Sequence, residues 1–94
     1  MNNEYDTFEW DERKREANLL KHGVDFADAS TAITAPHLVT LGRAGHEARW
    51  IALVKIGHRI VAVIYTLRNR SCRIISARVA RRNERKTYDS HFGA

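Results

Sequence analysis

The chain has 94 residues, with sixteen Lys and Arg against eleven Asp and Glu, a net charge of +5 and a single cysteine. That length supports one hydrophobic core but no second lobe or large enclosed cavity, so any chemistry must sit in a surface cleft. One cysteine, Cys72, excludes an intramolecular disulfide, and its strand-like surroundings read as a buried thiol in a reducing cytoplasm. The longest apolar run, Ile60 to Tyr65, is far too short to cross a bilayer, and the acidic start lacks the regions of a signal peptide. A soluble, cytoplasmic protein with no membrane partner is expected.

The charge is unevenly placed. Residues 1 to 28 carry eight acidic and four basic side chains, whereas residues 29 to 94 carry three acidic and twelve basic ones. Twelve of the sixteen basic residues are arginine, whose planar fork of donors matches phosphate. A polyanionic partner, nucleic acid first, is the natural inference, although composition alone fits a merely solubilising charge equally well.

In chain order, T-F-E-W at 7 to 10 reads as a short strand. Asp11 then offers an N-cap carboxylate to a helix over 12–22, with Ala17 and Leu20 on its inner side and Gly23 closing it. Asp25 and Asp28 bracket the start of a second helix, Val24 and Ala29 are spaced as a hydrophobic staple, and Pro36 forces a stop. After Pro36 the period becomes extended, predicting strands at about 38–41, 48–56, 60–67 and 72–79. Gly57-His58 and Asn69 to Ser71 supply tight turns, so neighbouring strands should run antiparallel. Residues 80–91 form a third, loosely held helix whose apolar side offers only Ala80, Tyr88 and Phe92. The result is one α+β domain over 1–94: two N-terminal helices packed on an antiparallel β-meander of four to five strands, followed by a C-terminal helix.

In the strand at 60–66, Ile60, Ala62 and Ile64 alternate with Val61, Val63 and Tyr65, so both faces of the sheet are apolar. Short helices hardly cover both sides, which predicts an extensive contact with another chain. The alternative is that loops and the third helix cover the second face.

Chemistry concentrates after the turn at Asn69. Strand alternation groups Ile75, Ala77 and Val79 on one face and Ile74, Ser76 and Arg78 on the other, so Arg78 points away from the better core face. Arg81 begins the last helix and Arg85 lies one turn on, so three guanidinium groups and a helix N-terminus can converge into a phosphate cradle. Eight basic residues fall between Arg68 and Lys86 with Glu84 alone to offset them, whereas a purely solvated helix would mix the signs. Glu84, flanked by arginine, is a candidate general base of depressed pKa, or else a plain helical ion pair. Tyr88 is a packing residue or one that meets a phosphate or a base. By helical phase, Arg82 and Lys86 fall on the solvated side.

His22 and Lys21 sit where they can satisfy the last carbonyls of the first helix. His46, in the loop G-R-A-G-H-E, is free to approach a ligand, while His37, His58 and His91 look like loop or terminal residues. No histidine pair has zinc-site spacing, and neither a Gly-rich phosphate loop nor a Ser-His-Asp order is present. Neither a metal nor another cofactor is expected.

Taken in order, W-D-E-R-K at 10 to 14, N-L-L-K-H-G-V-D-F at 18 to 26, Y-T-L-R at 65 to 68 and I-I-S-A-R-V-A-R-R-N-E-R-K-T-Y at 74 to 88 resemble the BrnT family of type II toxin-antitoxin toxins. The resemblance covers about residues 8 to 92. It implies a RelE-like fold, a ribonuclease that arrests translation, and inhibition by a BrnA-type antitoxin with a ribbon-helix-helix DNA-binding domain, so that DNA is met only through that antitoxin. It also marks Lys21, His22, Arg78, Arg81, Glu84 and Tyr88 as matches to the family pattern and candidates for catalysis. Arg85, His46 and Arg68 complete the set as candidate RNA contacts. The loop from Gly42 to Glu47 departs from the pattern. The competing readings are a non-catalytic nucleic-acid-binding module with the same arginine patch, and an interaction subunit whose basic patch meets an acidic protein.

Overall fold

The computed structural model describes residues 5–35 and 37–93. Strand β1 (Thr7–Glu9) leads into α1 (Glu12–His22) and α2 (Phe26–Ala32). Four longer strands follow, β2 (Leu38–Arg43), β3 (Arg49–Ile56), β4 (Arg59–Arg68) and β5 (Ser71–Val79), and then α3 (Arg82–Phe92). They form one five-stranded sheet in the order β1-β5-β4-β3-β2. The four longer strands are an antiparallel meander, but β1 joins β5 in parallel, so the sheet is mixed.

Local chemistry explains the elements. The Asp11 carboxylate accepts the backbone N–H groups of Arg13 and Lys14, and Gly23 ends α1 in the left-handed region at φ 68°. The Asp25 carboxylate accepts the Ala27 N–H at the start of α2. Pro36, expected to bound that helix, lies outside the described residues. At the β3–β4 hairpin Ile56 pairs with Arg59 across a two-residue turn whose first residue, Gly57, has φ 63°. The β4–β5 turn places both Asn69 (φ 47°) and Arg70 (φ 64°) in the left-handed region, the geometry of a primed turn.

One sheet face carries Ala52, Val54, Val61, Val63, Tyr65, Cys72, Ile74 and Ala77, buried against Val24, Phe26, Ala29 and Ile33. Burial pushes the Cys72 thiol up to about 12, so it is inert. Two details depart from the sequence expectation. Ala17 is exposed and Leu20 is 90% exposed rather than inward-facing, and the buried residue of α1 is Asn18. The Asn18 side chain donates to the Ala77 carbonyl (2.8 Å) and the Val24 carbonyl (3.0 Å), and accepts from the Ala77 N–H (3.1 Å). It therefore replaces a neighbouring strand where β1 has ended, which turns α1 so that Asn18 rather than Leu20 faces the sheet. The register shift between Ile64 and Tyr65 leaves Ile75 without a partner on β4. This bulge puts Ile74 on the same core face as Ala77, where strict alternation had separated them.

On the opposite face, where α3 packs against β4, Leu53 and Ala62 are buried, while Ile51 and Ile64 stay half-buried. The C-terminal helix thus covers one end of the second face and leaves its middle partly open. α3 starts at Arg82 rather than residue 80 and buries none of its own residues. Among the described residues, no helix is long and apolar enough to cross a membrane.

Candidate nucleic-acid interface

Arg78 pairs with Ala62 in the sheet and so lies on the α3 side, as alternation predicts. Its guanidinium fork meets both Glu84 oxygens, with Nη1 to Oε1 at 2.7 Å and Nη2 to Oε2 at 3.1 Å. Glu84 also accepts the Arg81 backbone N–H at 2.7 Å, closing the first turn of α3 from its third position. The Arg78 guanidinium holds the Glu84 carboxyl below the usual glutamate range, with the Arg81 N–H assisting against the opposing effect of burial. Glu84 is consequently an ionised clamp on Arg78, and a weak candidate base.

Arg81 is the N-cap residue and its side chain is exposed, so it flanks this junction from outside. Lys21 and His22 lie elsewhere. They line a depression of about 210 Å³ with Lys14, Asn18, Ile75 and Ser76 at the bulged edge of β5. Arg85 and Tyr88 face a larger groove of about 850 Å³, shared with Lys55, His58, Arg59, Ile60, Val79 and Phe92. Along β5, Arg78 falls in sequence between a residue of each. Ser76, two positions before it, lines the first depression, and Val79, one position after it, lines the second. Arg78 itself lines neither depression; its guanidinium is engaged with Glu84 on the α3 side of the sheet.

The remaining candidates are at the far end of the sheet. Arg68 is engaged bidentately by Glu47 (2.9 and 3.1 Å from Nη2), while His46 is exposed in the preceding loop. The Arg68 guanidinium lowers the Glu47 pKa, and the pair forms a self-contained surface clamp. Lys86, assigned to solvent by helical phase, is exposed but borders another shallow groove with Leu38, Val39 and Thr40. Sequence reasoning missed Lys14, Lys55 and Arg59. The available signal was that Lys55 and Ile60 are register partners on the α3 face beside the hairpin tip. Among the described residues there is no group of three or more His, Cys, Asp or Glu placed to hold a metal ion.

The comparisons agree with this architecture. A family model described as "Ribonuclease toxin, BrnT, of type II toxin-antitoxin system" matches residues 10–84. Among solved structures the chain is similar to the crystal structure of the Brucella abortus ribonuclease toxin BrnT, with 30% identity and a TM-score of 0.61. That alignment covers 81% of this chain and 97% of the other. No curated protein sequence matches. With the family model spanning α1 through the first turn of α3, including Lys21, His22, Arg78 and Glu84, the chain belongs to the BrnT family of ribonuclease toxins of type II toxin-antitoxin systems.

Proposed function

We propose that the protein is a cytoplasmic, metal-independent endoribonuclease that inhibits translation by cutting RNA. Its partner in this reading is a BrnA-like ribbon-helix-helix antitoxin, which forms a hetero-oligomer with it and provides any contact with DNA. The observation that supports it best is a guanidinium held by a carboxylate at the end of a strand that leads into a helix N-terminus.

RNA supplies its own nucleophile. A base takes the 2′-hydroxyl proton, the 2′-oxygen attacks phosphorus, and the bond to the 5′-oxygen breaks as that oxygen gains a proton. The products are a 2′,3′-cyclic phosphate and a 5′-hydroxyl. Positive charge must meet the phosphorane as it forms, and Arg78 with Arg81 provides it. Because Glu84 is ionised and engaged with Arg78, its assigned role is positioning, and the base is His22. Lys21 and Tyr88 position the chain or protonate the leaving oxygen. Arg85 holds a flanking phosphate, and His46 and Arg68 extend the contact at the distant end.

The half-buried Ile51 and Ile64 provide the apolar surface for the antitoxin. Incubating purified protein with single-stranded RNA in the presence of EDTA tests the reading through its product ends. Cyclic-phosphate termini support it. RNA that is shifted in a gel but intact means a non-catalytic binding module, and activity that EDTA abolishes overturns metal independence.

A further inference from the structure

The larger groove contains more positive charge than the Arg78 junction requires. Lys55 and Arg59 come from the two strands of the β3–β4 hairpin, and Arg85 comes from α3 across from them. Among the described residues none of these three is in an ion pair, in contrast to Arg15, Arg68, Arg70, Arg73 and Arg78. Each has donors to spare. Arg59 gives one weak hydrogen bond to the Gly23 carbonyl (3.3 Å), and Arg85 gives one to the Ala80 carbonyl (2.9 Å). His58 adds a further ionisable donor and Asp89 is the one acidic residue of the lining.

The same groove has an aromatic wall. Tyr88 and Phe92, one turn apart on α3, are paired with ring centroids 4.5 Å apart, and Phe92 is 40% exposed. A core would bury such a pair; here it is open to a cavity whose volume is within the range of about 300–1,000 Å³ typical of ligand sites. Unpaired cations opposite an exposed aromatic platform are the chemistry of single-stranded nucleic acid, in which phosphates meet the cations and a base stacks on the rings. An acidic protein segment would use the cations but would gain little from the stacked rings.

We infer that this groove is a second RNA subsite, distinct from the Arg78 junction, in which Lys55, Arg59 and Arg85 bind the phosphates of nucleotides flanking the cut and Tyr88 with Phe92 stacks one base. The inference rests on the ribonuclease reading for its substrate, and it makes substrate length a determinant of affinity. Val79 in the groove directly follows Arg78 along β5, and in this inference one strand of RNA runs from the junction into the groove.

Non-cleavable 2′-O-methyl oligonucleotides of about four and about eight nucleotides, titrated into the full chain, test it. The longer one should bind about tenfold more tightly. In a Lys55→Glu, Arg59→Gln double variant that advantage should vanish, and the slope of log affinity against log salt should fall by about 1.4, the value for two single-strand phosphate contacts. Cleavage of a short RNA should keep its kcat. Lys55→Ala, which removes no hydrogen bond, should lose about half of the effect on the slope and guards against misfolding of the double variant. Equal affinity for both lengths, or an unchanged slope in both variants, overturns the subsite. So does a labelled polyglutamate peptide that loses binding in the double variant while RNA affinity stays put, since the occupant is then an acidic protein segment. Length-dependent binding of these oligonucleotides, with no cleavage of the corresponding unmodified RNA, would sink the ribonuclease reading and leave the groove standing.

Discussion

Arg78 at the end of β5 and Glu84 in the first turn of α3 meet fork to fork at 2.7 and 3.1 Å, with only 19% and 14% of their side chains exposed. This one contact fixes the angle at which the helix leaves the strand and the direction in which the guanidinium points. It also sets apart two residues that proximity in sequence had merged into one cradle, a guanidinium and the carboxylate that orients it.

Removing that charge should be costly to rate. Arg78→Ala is expected to lower kcat for RNA cleavage on the order of a hundredfold, the usual effect of losing one placed transition-state donor. Arg78→Lys should recover only part of the loss, because an ammonium does not reproduce the two-pronged contact. Single-turnover cleavage of a labelled RNA measures both.

Glu84→Gln separates positioning from proton transfer. If Glu84 acts through Arg78 and His22 is the base proposed above, the variant is slower but keeps the acid limb of its pH–rate profile. Loss of that limb in Glu84→Gln would assign the base to Glu84. His22→Ala should abolish the limb.

The same ion pair should make stability depend on pH in a defined direction. Arg78 lowers the folded-state pKa of Glu84 from the ordinary value of 4.5, so the folded chain binds fewer protons there than the unfolded one. The stabilisation is fully present above that value and is lost as pH falls through the lowered one. Thermal melts of the wild type and Glu84→Gln should therefore differ most near neutral pH and converge in acid. A gap that widens in acid would contradict this.

Asn18 should matter more to folding than any exposed apolar residue of α1. Asn18→Ala orphans the buried Ala77 N–H and carbonyl, and a loss of about 2–3 kcal/mol is expected from urea denaturation. Leu20→Glu should change stability by no more than about 0.5 kcal/mol, since that side chain is 90% exposed.

The β4–β5 turn holds a strained residue that can be relieved. Arg70 sits at φ 64°, where a side chain is disfavoured, and its ion pair with Asp6 is exposed on both sides. Arg70→Gly is expected to raise Tm by about 4 °C, read by circular dichroism, without changing RNA cleavage.

The local elements were legible because they depend on neighbours in the chain. Asp11, Asp25 and Gly23 cap their helices through contacts within a few residues, and the Gly57 and Asn69 turns are set by backbone preference. Alternation put Arg78 on the α3 side because the bulge at Ile75 precedes it and the strand beyond is regular. The family resemblance was carried by the same contiguous stretches.

What only the tertiary structure decided involves groups far apart in sequence. The parallel pairing of β1 with β5, the bulge at Ile75 and the capping of Ala77 by Asn18, 59 residues away, all answer to backbone groups that need partners once the sheet is assembled. Helical period could not forecast that a polar Asn18 would take the inward position, because the open edge of β5 exists only in the fold. For the same reason the basic residues divide between two depressions, Lys21 and His22 in one and Arg85 with Lys55 and Arg59 in the other. Composition determines that the chain carries excess positive charge, but pairing with Glu47, Asp6, Glu9 and Glu84 determines which arginines are already satisfied and which remain for a phosphate.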